Sequence, residues 1–144
     1  MTRWLVDGNN VMGSRPDGWW KDRPGAARRL AGEVAALCHQ NGESAVVVFD
    51  GRPPPGQGLP GGVPPYDVAE PTAGFRVLFA GVARGAADDE IVRLVTNDKD
   101  PGGITVVTSD KGLVERVRPK GPRVMGAGDF LGLLRTLTDE TDRI

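Results

Sequence analysis

Short apolar runs punctuate the chain, and three of them close on an aspartate. Trp4-Leu5-Val6 meets Asp7, "AVVVF" at 45–49 meets Asp50, and "ITVVTSD" at 104–110 ends in Asp110. Runs of four to eight apolar, β-branched residues without alternation suit strands covered on both faces. "FRVLFA" at 75–80 and "RVM" at 123–125 read as two more strands, giving five. Between them the period changes. Ala27, Leu30, Val34, Leu37 and Cys38 recur at helical spacing and predict a helix from Pro24 to Gln40, with proline in its first turn and Gly42 past its end. Ile91, Leu94 and Val95 predict a short amphipathic helix whose first turn carries Asp88, Asp89 and Glu90, where the helix dipole favours acids. Further helices are expected over 111–117 and 129–137. This alternation of strands and helices predicts an α/β fold with a central, mainly parallel five-stranded sheet.

An Asp-Gly pair after an apolar run is also a hairpin signal. Residues 11–18, "VMGSRPDG", lack the alternation a returning strand needs, so Asp7 is read as a strand end, with Gly8, Asn9 and Asn10 as turn residues.

Composition narrows the class. A chain of 144 residues most simply forms one domain, 1–144, large enough to bury a core. Its 21 Gly and 12 Pro concentrate in "GRPPPGQGLPGGVPP" at 51–65, which predicts a long Pro/Gly-rich surface loop over about 51–72. With one cysteine on an apolar helix face and one histidine, the chain has neither an internal disulfide nor a zinc-site vocabulary. No apolar stretch approaches the roughly 20 residues that span a bilayer, and a cytoplasmic location is expected. The formal net charge of −1 argues against indiscriminate nucleic-acid binding through a basic surface.

The aspartates change the picture. Ligands of open α/β sheets sit at the carboxyl ends of the strands. Asp7, Asp50 and Asp110 each deliver a carboxylate to that edge, and Asp88 adds a fourth from a helix N-terminus. Carboxylates gathered in one place repel unless a cation shares the site. Oxygen-only ligation favours Mg²⁺ or Mn²⁺, and two such ions about 3.5–4 Å apart can activate water and stabilise the leaving oxygen of a phosphodiester. Asn10 is placed to orient bound water or a carboxylate. Each residue alone has a plainer role: Asp7 and Asp50 as turn formers before glycine, and Asp88, Ser109 or Asp110 as helix caps. Caps do not explain why three strands end in aspartate around one predicted edge.

"LVDGNNVMG", "VVVFDG", "ARGAADDEIVRLV" and "ITVVTSDKGL", in this order, resemble the NYN domain family of PIN-like metal-dependent ribonucleases, in particular its bacterial YacP-like branch, over residues 4 to about 134. The resemblance implies a PIN-like three-layer fold and an acidic metal site made of Asp7, Asp50, Asp88 and Asp110, with Asn10 matching the Asn of Asp-Gly-x-Asn and Ser109 that of Thr-Ser-Asp. In the Asp88-Asp89 doublet, Asp88 is taken as the inward residue. The activity implied is (endo)ribonucleolytic hydrolysis of RNA, leaving a 5′-phosphate and a 3′-hydroxyl, with Mg²⁺ or Mn²⁺ as cofactor and no small organic cofactor.

Arg15, Arg52, Arg84 and Lys111 fall in or beside the edge loops as candidate phosphate contacts, together with Lys21 and Arg23. Trp19 and Trp20 are candidates to stack on the bases of single-stranded RNA. Solvated basic side chains and packed tryptophans are the ordinary alternatives. Two rival functions share the fold: an RNA-binding module without catalysis, and a Mg²⁺-dependent phosphotransfer domain, which also places aspartate at strand ends. Asn9, where the latter would want a second acid, disfavours it.

Overall fold

The unalternating runs form the centre of one sheet. A computed structural model describes residues 2–54, 64–68 and 74–142, without the side chains of 68 and 138–142, so most of the 51–72 segment lies outside the described residues. The strands are β1 (Arg3–Asp7), β2 (Ser44–Phe49), β3 (Tyr66–Val68), β4 (Phe75–Phe79), β5 (Ile104–Val107) and β6 (Arg123–Met125). Among the described residues they form a single sheet in the order β3-β4-β2-β1-β5-β6. Every pairing is parallel except β3 with β4.

The helices α1 (Gly8–Gly13), α2 (Arg23–Asn41), α3 (Ala86–Thr96), α4 (Lys111–Val117) and α5 (Ala127–Asp142) complete three layers. Successive side chains of a strand point to opposite faces, and both faces here are apolar. Trp4, Val6, Val47 and Phe49 pack with Leu30, Val34 and Leu37 of α2 and Phe130 and Leu134 of α5. Leu5, Val48, Leu78 and Val106 meet Ile91 and Val95 of α3 and Leu113 and Val117 of α4 on the other side. Ile91, Val95 and Val117 are wholly buried, and each such aliphatic side chain is worth about 1.5–3 kcal/mol. The 3.6-residue period of α2 and α3 thus reports the stripe that covers the sheet.

Three local features depart from the sequence reading. The sheet has six strands, because Tyr66–Val68, inside the segment expected to be loop, pairs antiparallel with β4. An Arg76–Asp67 ion pair of 2.6 Å spans that pairing and secures an otherwise short edge strand. Gly8, Asn9 and Asn10 open the helix α1 rather than a turn. Tertiary contact overrides their weak helix propensity: a Cβ on Gly8 would lie 2.6 Å from Phe49 Cδ1, so only glycine lets α1 start against β2. The last helix begins at Ala127, two residues before Asp129, because a hydroxyl from elsewhere in the chain satisfies its first turn.

Chain order sets the position of the site. From β1 the chain moves outward to β2 and β4, then returns to β5 on the other flank of β1. The sheet's switch point therefore lies between β1 and β5, where open α/β sheets bind ligands beyond the strand carboxyl ends. The N-termini of α1, α3, α4 and α5 follow β1, β4, β5 and β6 at this same edge.

Candidate active site at the carboxyl edge of the sheet

Two asparagines tie the edge together. β1 lies between β2 and β5, and α1 begins directly at its end. Asn9 reaches one neighbour, its Oδ1 accepting the Asp50 backbone N–H at 2.7 Å. Asn10 reaches the other, its Oδ1 accepting the Ser109 N–H at 2.8 Å. The loops after β2 and β5 are thereby fixed to the central strand, and with them Asp50 and Asp110.

The four aspartates divide into two kinds. Asp50 and Asp110 spend an oxygen on helix N-termini: Asp50 Oδ1 accepts the Ala87 N–H of α3 at 3.0 Å, and Asp110 Oδ1 accepts from Gly112 and Leu113 of α4 at 2.9 and 3.3 Å. Ser109 does the same for α5, its Oγ accepting the Ala127 N–H at 2.8 Å. These bonds satisfy backbone donors that a helix cannot pair internally. Asp7 and Asp88 cap no neighbouring helix. Asp7 is 4% exposed, and its Oδ2 accepts the Thr108 hydroxyl at 2.8 Å.

Burial pushes the Asp7 carboxyl up to about 6, with Asp88 and Asp110 adding repulsion, while the Thr108 hydroxyl and the Asn10 N–H favour the ionised form. Burial also raises Asp88, followed by repulsion from Asp110 and Asp50; Arg116 opposes the rise. Asp88 thus shares the field of the edge. Its neighbour Asp89 turns outward and pairs with Arg116 of α4 at 3.0 Å. Among the described residues, no three acidic, His or Cys side chains stand close enough to hold one ion between them. Asp50 and Asp110 each turn an oxygen towards backbone N–H groups.

The basic residues are placed unevenly. Arg52 and Arg84 line a cavity of about 520 Å³ beside Asp50, and Arg23 joins them from α2. Lys111 is exposed at the start of α4, next to Asp110. Arg15 is engaged within the chain: its guanidinium makes a bidentate pair with Glu33 at 2.7 and 2.8 Å. Trp20 is 58% exposed and meets Trp19 edge-on at 6.0 Å, with Arg23 over the Trp19 ring at 5.3 Å. The sequence pattern alone assigns no role at the edge to Asn9 or Thr108. Thr108 carries a usable signal, a polar residue directly after a buried strand and directly before Ser109-Asp110.

The profile of the YacP-like NYN domain matches residues 4–143. Among solved structures, the chain is similar to Rae1 (YacP) from Bacillus subtilis, with a TM-score of 0.72 at 24% identity, over 99% of this chain and 79% of that one. A point mutant of the same protein gives a TM-score of 0.74 at 22% identity, covering 99% and 80%. No curated protein matches the chain. The α/β architecture read from the strand and helix pattern is the architecture these structures share, and no described helix is long and apolar enough to cross a membrane. With a profile match spanning nearly every residue, the chain belongs to the YacP-like NYN domain family, a PIN-like nuclease-type domain.

Proposed function

We propose that this protein is a divalent-metal-dependent endoribonuclease that hydrolyses phosphodiester bonds of single-stranded RNA at the carboxyl edge of its sheet. The observation that carries the reading is the pair Asp7 and Asp88. Both are raised by burial and by neighbouring carboxylates, and among the described residues neither forms an ion pair. Arg116 lies near Asp88 but pairs with Asp89. Repulsion of this kind is costly, and an oxygen-only donor set suits a hard cation. A sparse set of carboxylates suits Mg²⁺ or Mn²⁺ in particular, because Mg²⁺ keeps several waters and needs only one or two carboxylates in direct contact. Asp7, Asp50, Asp88 and Asp110 are the residues that would hold it. Bound there, such ions supply Lewis acidity and an activated water for in-line attack.

The chain's own residues prepare the rest. Asn9 and Asn10 hold the loops in register, and Thr108 orients Asp7. Lys111 and the arginines of the neighbouring cavity offset the negative edge where the strand would run.

Cleavage of a labelled single-stranded RNA tests the reading. Turnover in Mg²⁺ or Mn²⁺, lost with EDTA and in Asp7→Asn, is the expected result; absence of turnover with every divalent ion rejects it. The absence of a close three-carboxylate group among the described residues favours a second reading, an RNA-binding module without catalysis. That reading predicts RNA binding with no heat of Mg²⁺ or Mn²⁺ uptake by calorimetry, even with RNA bound.

A further inference from the structure

The arginines of this protein differ in how their charge is met. Arg3, Arg15, Arg29, Arg76, Arg93 and Arg116 each pair with a carboxylate. Arg23, Arg52 and Arg84, like Arg28, Arg118, Arg123 and Arg135, have no carboxylate partner among the described residues, and these three line the cavity of about 520 Å³ beside Asp50. The floor is apolar: Met12, Phe49 and Phe79, with the two phenyl rings stacked at 5.3 Å. Just past β2 and β4, Gly51 and Gly81 line the cavity and pair in an antiparallel bridge, with N···O distances of 2.8 and 2.9 Å. Both glycines have positive φ, 89° and 104°, and neither puts a side chain into the opening.

Three guanidiniums free of carboxylates around an apolar, aromatic floor describe a ligand with a flat face and anionic flanks. The volume is that of a small-ligand site, commonly about 300–1,000 Å³. Asp50 and Asn9 belong both to the cavity wall and to the acidic edge, so an occupant of the cavity is contiguous with the candidate active site.

We propose that this cavity is a nucleotide subsite that receives one unpaired nucleobase of the RNA strand, with Arg23, Arg52 and Arg84 holding the phosphates on either side of it. The choice of RNA rests on the nuclease reading; the cavity itself requires only a planar base joined to phosphate. Such a subsite fixes the register of the strand at the acidic edge and makes cleavage depend on a base being free to leave its stack. Duplex RNA, whose bases are engaged, is excluded on the same ground. Arg23 also covers Trp19, and the exposed Trp20 beside it continues the surface as a stacking face for the next base.

The test measures binding in EDTA, so that it does not depend on cleavage. A short fluorescein-labelled single-stranded RNA is titrated by fluorescence anisotropy, and a single abasic residue is then walked along it. The expected result is a rise in Kd of about fivefold or more at one register, the effect of taking one base out of an apolar cavity. The double variant Arg23→Ala/Arg84→Ala is expected to weaken binding about tenfold, to flatten the salt dependence by about 0.7 for each phosphate no longer held, and to shrink the abasic penalty. Both side chains are exposed, so the variant should unfold at the wild-type temperature, and Arg118→Ala should leave Kd unchanged. The proposal is overturned if abasic substitution at every position leaves Kd unaltered, if no RNA binds, or if adenosine monophosphate binds more tightly than the oligonucleotide, which would make the cavity a small-metabolite site. A surviving register effect without turnover in any metal would reject the nuclease reading and leave the subsite standing.

Discussion

The two edges of this sheet treat charge in opposite ways. At the amino edge, Arg3 of β1 pairs with Asp98 at 2.6 Å and donates a second bond of 3.1 Å, and the Asp98 carboxyl is held below its ordinary value by that guanidinium. Trp4 Nε1 donates to Glu43 at 3.1 Å across the same edge. At the carboxyl edge, where β1 ends, Asp7 is buried, meets no cation among the described residues and is pushed up to about 6. One strand thus carries a compensated charge at its start and an uncompensated one at its end. A protein selected only for stability would treat both alike; the contrast singles out the carboxyl edge as the candidate functional site.

The strongest way to break the contrast is Asp7→Asn. It should lower RNA cleavage by about a hundredfold or more, measured under single-turnover conditions. It should also stabilise the metal-free protein above pH 7 by about 2–3 kcal/mol in denaturant titrations, the equivalent of carrying a buried carboxyl from its ordinary value to the raised one. The sign follows from the raised pKa. Below the unfolded value near 3.8 both states hold the proton, and the wild type and variant should match. Between there and about 6 the folded wild type holds a proton that the unfolded chain has lost, so its stability falls relative to the variant as pH rises. Cleavage should rise over the same window, as Asp7 ionises.

Divalent ions should act next in size. At tenfold its Kd, Mg²⁺ or Mn²⁺ should stabilise the wild type by about 1.4 kcal/mol, seen as a raised Tm, with little effect on Asp7→Asn. Ser109→Ala removes the hydroxyl that caps α5 across the edge and should cost about 1 kcal/mol in denaturant titrations while weakening cleavage. Arg3→Ala sharpens the comparison from the other side. It breaks a half-exposed pair worth at most about 1 kcal/mol, and the cleavage rate should not change. A large loss of activity in Arg3→Ala would mean that the two edges are coupled.

Much of this was legible in the chain because it depends on local periodicity. The runs at 45–49 and 104–107 are strands covered on both faces and look so in one dimension; α2 and α3 announce themselves by a stripe of apolar residues. The aspartates that end these strands could be placed at one edge once the sheet was read as parallel, since parallel strands bring their carboxyl ends together. The same reading could not separate their roles. Asp50 caps a helix that begins at Ala86, and Ser109 caps one that begins at Ala127; both bonds are long-range, so no spacing rule reveals them. Nor could composition show that Gly8 opens a helix, because the reason is the Phe49 ring pressed against it.

By itself, then, the order of residues determined the alternation of strand and helix, the acidic strand ends and the stretch rich in proline and glycine, since each arises from neighbours in the chain. Only the folded molecule decided which carboxylates stay without a cation, that Arg15 turns to Glu33, and that Arg23 joins Arg52 and Arg84 around one cavity. Burial and Coulomb energy depend on distance in space, and parallel strands meet only after long crossovers whose length says nothing of which side chains will face each other.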